Sequence, residues 1–310
     1  MSTGIMEKNE SYSSLSLVDF RIGRRSRNNP IQDFLLDWEV EKLPLSYTVH
    51  GHAQSISKYA LVRQDNYKLL SIVPAKWTPI QNSEFVEIVQ NLAEVENLSI
   101  DLGGSFNDGE CVWLLVRGQP SFTLREKDVV QSYFLFSNPH VYGSSFSIQL
   151  VPVRLATSTS ICFSLKRKNH SHEIGRYNFY KDMAPDAIKE ILDIGTTRMK
   201  EYEKKARFLN SKKYTEDDIE KFLNKIVPTT GDYSQMSRPS IEICKVLEAP
   251  PEGRMNYGTW WQALNAVLYY FDHMAGNSVD TRMFSNWYVK NRKIKLDALT
   301  AAMNFAKNSG

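Results

Sequence analysis

Near residue 180 the apolar residues of this chain change their period, and that change limits the folds open to it. Before it, short runs alternate at every second residue or form brief blocks closed by turn residues, as strands do. Trp38, Val40 and Leu43 open the pattern. Tyr59, Leu61 and Arg63 alternate with Ala60 and Val62, Gln64-Asp65-Asn66 turns the chain, and Leu69 to Val73 returns it, which predicts a hairpin. Leu98 to Leu102, Cys111 to Val116, Ser121 to Leu124, Ser132 to Phe136, Ser145 to Thr157 and Ser160 to Leu165 read as further strands, with Gly103-Gly104 to Gly109 as a loop. Pro152 lacks an N–H, so the longest of these strands is an edge or is bulged there. One segment breaks the series: Phe85, Ile88, Val89 and Leu92 recur at helical spacing, which predicts a helix over 83–95 with Ser83 as its cap.

After residue 180 the pattern is helical. Pro185 suits a first helical position, and Ile188, Leu192, Met199, Tyr202, Ala206 and Leu209 follow near-heptad spacing. Thr215 with Asp218 has the form of a capping box, followed by Ile219, Phe222, Leu223 and Ile226. A short helix near Pro239 to Leu247, one capped by Thr259, and a last one over Leu296 to Ala306 complete the reading. The expected fold is α+β: a loosely ordered basic arm over 1–30, an antiparallel or mixed sheet domain with a crossing helix over 31–182, and a mainly helical part over 183–310. Trp38, Trp113 and Trp261 fall on apolar sides of patterned segments and are expected to be buried.

Composition excludes several classes. With 42% hydrophobic and 24% charged residues in 310, the chain is neither wholly disordered nor collagen-like. No run of about 18 apolar residues occurs, so no membrane helix is expected. The N-terminus lacks a signal-peptide pattern, and the three cysteines are odd in number and scattered, which fits reduced thiols in a cytoplasmic setting. There is no Walker loop, dinucleotide fingerprint or nucleophile elbow, so no catalytic residue and no cofactor is assigned. His50-Gly51-His52 and His170-Ser171-His172 each offer two imidazoles, but a zinc site needs three or four ligands. Arg154 interrupts an apolar strand; a buried arginine needs either a carboxylate or an anionic ligand, and both readings stay open. An enzyme could only be assembled from distant residues such as Asn138, His140, Arg154 and Asp272.

Four segments, in order, resemble one family. They are Trp77-Thr78-Pro79-Ile80-Gln81-Asn82, the stretch Tyr133 to Ser145 with Asn138, His140, Gly143 and Ser144, the strand Val151-Pro152-Val153-Arg154, and Gly258-Thr259-Trp260-Trp261 running on to Asp272-His273, with Trp287 beyond. Together they resemble the phage/plasmid-like protein family, a domain of unknown function. The resemblance spans about residues 35–290 and implies a mobile-element protein in the bacterial cytoplasm, with no activity attached. Past Arg154 that family continues with a Cys and an Asn, whereas Thr157 and Thr159 stand here.

One chemical signal rises above background. Lys166, Arg167, Lys168, Arg176, Tyr177 and Lys181 interleave cations with a flat ring, and Arg198, Lys200, Lys204, Lys205 and Arg207 continue the positive field. Lys290, Arg292, Lys293 and Lys295 form a further cluster. Cations track a phosphate backbone, and rings stack on bases whatever their identity. The expected function is therefore single-stranded DNA binding, with strand annealing by a homo-oligomer as its finer form. The same residues fit a solvated charged face; the alternative function is an interaction module that binds a host protein to counter a defence system.

Overall fold

The structure, a computed structural model, describes residues 29–124, 128–165, 185–229, 236–251, 253 and 256–308. Its first sheet is a meander. After a short helix α1 (Pro30–Asp33), strands β1 (Val40–Val49), β2 (His52–Arg63) and β3 (Leu69–Pro74) pair antiparallel in that order. The hairpin expected between Tyr59 and Val73 is β2–β3, with Tyr59 opposite Val73.

Helix α2 (Asn82–Val95) leads into the central sheet. That sheet has five antiparallel strands in the order β12-β9-β8-β5-β4. They are β4 (Ser99–Phe106), β5 (Cys111–Arg117), β8 (Tyr133–Pro139), β9 (Ser147–Leu150) and β12 (Phe163–Ser164). A smaller four-stranded sheet holds β6 (Phe122–Thr123), β7 (Val129–Gln131), β10 (Val153–Arg154) and β11 (Thr159–Ser160). The Pro152 break is real: β9 ends at Leu150 and β10 starts at Val153.

Six helices follow: α3 (Pro185–Ser211), α4 (Glu216–Ile226), α5 (Arg238–Glu248), α6 (Trp260–Tyr269), α7 (Val279–Tyr288) and α8 (Lys290–Asn308). The turn Tyr270–Met274 extends α6 as π-helix. The capping box at Thr215 forms as read, its hydroxyl accepting from the Asp218 N–H while Asp218 accepts from the Thr215 N–H. Among the described residues the helical half holds no strand, only an isolated bridge between Lys213 and Thr259. The fold is α+β, as its periods predict. No helix among the described residues is long and apolar enough to cross a membrane.

The central strands β5 and β8 are buried on both faces. Alternate residues therefore need a cover on each side. Val112, Leu114, Val116, Phe134 and Phe136 join the cluster that contains Phe85, Val86 and Val89 of α2. Cys111, Trp113, Leu115, Tyr133 and Leu135 join Met283 and Trp287 of α7, and the Trp113 and Trp287 rings meet edge-on at 5.0 Å. Helices from beyond residue 180 thus roof a sheet formed before it. Trp38, Trp113 and Trp261 are all buried.

Three local expectations are corrected. Gln81, not Ser83, is the capping position of α2, and it caps without a side-chain bond into the helix. Gly103 and Gly104 lie inside β4 rather than in a loop. Their lack of a side chain serves close approach: a Cβ on Gly103 would fall 2.6 Å from Phe34 and from Leu114, and one on Gly104 would fall 3.2 Å from Trp113. The turn itself is only Asn107–Gly109. The last helix also starts earlier than read, at Lys290.

Trp113→Ala would empty the contact between β5 and α7. It should lower the unfolding free energy by about 3–5 kcal/mol, read from urea denaturation followed by far-UV circular dichroism. An unchanged midpoint would show that α7 does not close this face.

Candidate functional site: a pinned motif, two buried ion pairs and a basic helix face

The Trp77–Asn82 motif is a structural clasp. Gln81 exchanges two hydrogen bonds with the main chain of Val40, at 2.9 and 3.0 Å. Asn82 donates to the Trp38 carbonyl at 2.9 Å, which leaves its Oδ1 to accept from His140 Nε2 at 3.0 Å. That direction places a proton on Nε2. Asn138 donates to the Ile80 carbonyl at 3.0 Å. Asn82, Asn138 and His140 are fully buried. The clasp ties the start of β1, the start of α2 and the end of β8 where no backbone ladder joins them, so side-chain amides satisfy main-chain groups that would otherwise stand bare.

Arg154 finds its carboxylate inside the protein. Its Nε donates to Asp128 at 2.5 Å, and both side chains are buried. Asp128 also accepts from Asn256 Nδ2 at 2.6 Å and from Trp261 Nε1 at 3.0 Å. Three donors on one carboxylate offset the desolvation that such a pair costs. Of the two roles open to Arg154, the geometry supplies the structural one. The sheet register explains the meeting: Arg154 lies opposite Val130 on β7, two residues after Asp128.

A second buried pair joins the π-helical turn to α8. Asp272 accepts from Lys295 Nζ, from the Ser160 N–H at 2.8 Å and from Asn286 Nδ2 at 2.9 Å, and Lys295 donates as well to the Ser160 carbonyl at 3.2 Å. Burial pulls the Lys295 ammonium below its ordinary pKa, and Asp272 opposes that shift. Beside it, Thr159 donates to Asn265 at 3.1 Å, and His273 Nε2 lies 3.0 Å from the Thr157 carbonyl. Thr157 and Thr159 are thus joined to α6 and its π-helical turn. Burial lowers the His273 pKa.

These networks separate the residues from which an enzyme might have been assembled. Asn138 and His140 belong to the motif clasp, Arg154 to Asp128 and Asp272 to Lys295. The cluster Lys290–Lys295 also divides: Lys290 and Lys293 are exposed, Lys295 is buried, and Arg292 turns in to Ser164 Oγ at 2.5 Å and the Cys162 carbonyl at 3.2 Å. Sequence reasoning missed this because a helix presents successive residues to different faces.

Cys111 and Cys162 are buried, and burial pushes both thiols up to about 12. Among the described residues no group of three or more His, Cys, Asp or Glu side chains could hold a metal ion. His50 and His52 sit exposed around the β1–β2 turn, while His170 and His172 lie outside the described residues.

Lys166, Arg167, Lys168, Arg176, Tyr177 and Lys181, the expected nucleic-acid contacts, also lie outside the described residues. Their described continuation is α3. Its inner face buries Ile188, Leu192, Met199, Tyr202, Ala206 and Leu209, so its outer face carries Arg198, Lys200, Lys204 and Arg207. Arg198 pairs with Glu201 at 3.4 Å, and Arg207 pairs with Glu203 at 2.6 Å and reaches the Thr123 carbonyl. Among the described residues Lys200 and Lys204, one helical turn apart, form no ion pair.

Residues 69–302 match a family model described as a domain of unknown function, DUF932, and the chain belongs to that family. All four family-like segments lie within the match. No curated protein and no solved structure matches the chain.

Two outcomes follow from these buried groups. Asp128→Ala leaves Arg154 buried without its carboxylate and should destabilise the fold by about 3–5 kcal/mol, measured by urea denaturation; a loss near zero would mean that the pair is solvated. The thiols give a pH dependence. Their folded pKa lies above the ordinary value of 9.0, so the stabilisation is complete below pH 9 and falls as pH rises toward 12. Replacing both with Ser should flatten that fall in urea midpoints taken across the window, and an unaltered slope would contradict the assignment.

Proposed function

We propose that this chain is a single-stranded DNA-binding protein of a phage or plasmid, working in the bacterial cytoplasm, and that it promotes strand annealing as a homo-oligomer. One observation carries the reading. The outer face of α3 exposes Lys200 and Lys204 without ion-pair partners among the described residues, and α3 follows directly on a segment with five cations and Tyr177 within residues 166–181. A helix face paired throughout by its own carboxylates would have little positive potential left for phosphates. Here Lys/Arg contacts would release counterions from the strand, and Tyr177 would offer a stacking face. The likeness to annealing proteins, a short antiparallel sheet with a helix packed on it, is an analogy of architecture and fixes no activity by itself.

Fluorescence anisotropy of a labelled oligonucleotide tests the reading. The logarithm of the affinity should fall with the logarithm of salt, with a slope of about −0.7 per neutralised phosphate. Lys166→Ala, Arg167→Ala and Lys168→Ala together should flatten that slope, as should Lys200→Ala with Lys204→Ala. Tyr177→Ala should weaken binding by about 1–3 kcal/mol with the slope kept, because stacking releases no counterions. Absence of binding at low salt would sink the reading. The basic segment would then be a solvated face, and a host-protein interaction module would take its place.

A further inference from the structure

The first two strands run past the body of the protein. β3 pairs with β2 only between Lys58 and Val62, so from Leu45 to Ser57 the β1–β2 pair is a two-stranded arm with no further strand on either edge among the described residues. Sixteen of the eighteen residues from Glu41 to Lys58 are exposed, all but Lys42 and Leu45. Leu43, Tyr47, Val49 and Ile56 are among them, each at least 40% accessible. A lone hairpin is at best marginally stable in water, and a bare strand edge is a template for another strand.

The root of this sheet carries devices against such pairing, and the arm does not. Pro44 removes an N–H from the β1 edge at the root. On the other edge the Tyr142 N–H donates to Ser71 Oγ of β3 at 2.9 Å. Beyond them, Leu43 to Ser57 contains no Asp, Glu, Lys or Arg, although 24% of the whole chain is charged. Leu45-Ser46-Tyr47-Thr48-Val49 is free of proline and rich in strand-forming side chains.

The missing charge selects the occupant. An arm without cations has nothing to neutralise on a nucleic acid and nothing to match on a charged protein. Two such arms meeting about a two-fold axis bring no like charges together, and an antiparallel β1–β1 contact is self-complementary. The sixteen exposed residues are joined on the same sheet by exposed Leu69 and Ile72, a patch just under the size of a stable interface, about 20–30 residues a side. Leu43 and Ile72 flank Ala60 in one cross-strand row. We propose that the β1–β2 arm is a self-association surface occupied by the arm of a second copy of this chain, edge strand β1 against β1. The arm, Leu45 to Ser57, precedes the residues matched by the family model, 69–302. The proposal rests on the oligomer in the function above, not on its DNA contacts.

Sedimentation velocity of the full chain across micromolar concentrations is the test, run beside two variants. Tyr47→Lys with Val49→Lys sets cations against one another across the paired edges, and Thr48→Pro removes an edge donor without adding charge. The wild-type chain should sediment as a dimer or larger, and both variants as monomers with unaltered circular dichroism and thermal midpoint. A monomeric wild-type chain, or an assembly that survives both variants, overturns the proposal. Anisotropy with an oligonucleotide short enough for one protomer keeps the two readings apart. A wild-type monomer that binds it defeats the arm contact alone, and variant and wild-type chains that both fail to bind defeat the DNA reading alone.

Discussion

The double burial of β5 and β8 is the constraint around which the rest of this molecule is arranged. A strand that is apolar at successive residues, as β5 is, can leave neither face to water, so the central sheet needs two roofs. Phe85, Val86 and Val89 of α2 supply one, and Met283 and Trp287 of α7 supply the other. The second roof comes from about 170 residues further along the chain, which is why the change of hydrophobic period near 180 marks a change of secondary structure and not a break in the core. One cluster of buried side chains runs from Leu36 to Ala306.

Once a sheet is covered on both sides, the polar groups trapped around it must find partners in the protein. The three networks do this where segments distant in sequence meet. Gln81 and Asn82 bind the main chain before and at β1, Asp128 gathers Arg154, Asn256 and Trp261, and Asp272 gathers Lys295, Ser160 and Asn286. The family-like segments coincide with these junctions. Their spacing along the chain reflects assembly of the core. Among the described residues the outside carries, with much else, the uncharged β1–β2 arm and the basic outer face of α3, two surfaces of different character.

Much of this was legible from residue types. The β2–β3 hairpin, α2, the break at Pro152 and the Thr215 capping box each have local causes, and local causes are visible in a window of a few residues. The misread pieces have distant causes. Gly103 and Gly104 look like a loop until Phe34 and Trp113 are known to press on them. Lys295 looks like one more surface cation until Asp272 is placed beside it. Arg154 announces a need for a counter-charge, but nothing in its neighbourhood names Asp128, twenty-six residues before it. The exposure of the arm is hidden for a related reason: Tyr47 and Val49 alternate like any half-buried strand, and only the shortness of β3 shows that both stand exposed.

The functional account turns on which surface touches nucleic acid, and photo-cross-linking reads that contact without relying on affinity. A single strand carrying photoreactive pyrimidines, irradiated with the wild-type protein and mapped by peptide mass spectrometry, should mark the peptide holding Tyr177 and the peptides of α3 around Lys200 and Lys204, and leave the β1–β2 arm unmarked. Cross-links confined to the arm, or spread evenly over the surface, would contradict the account.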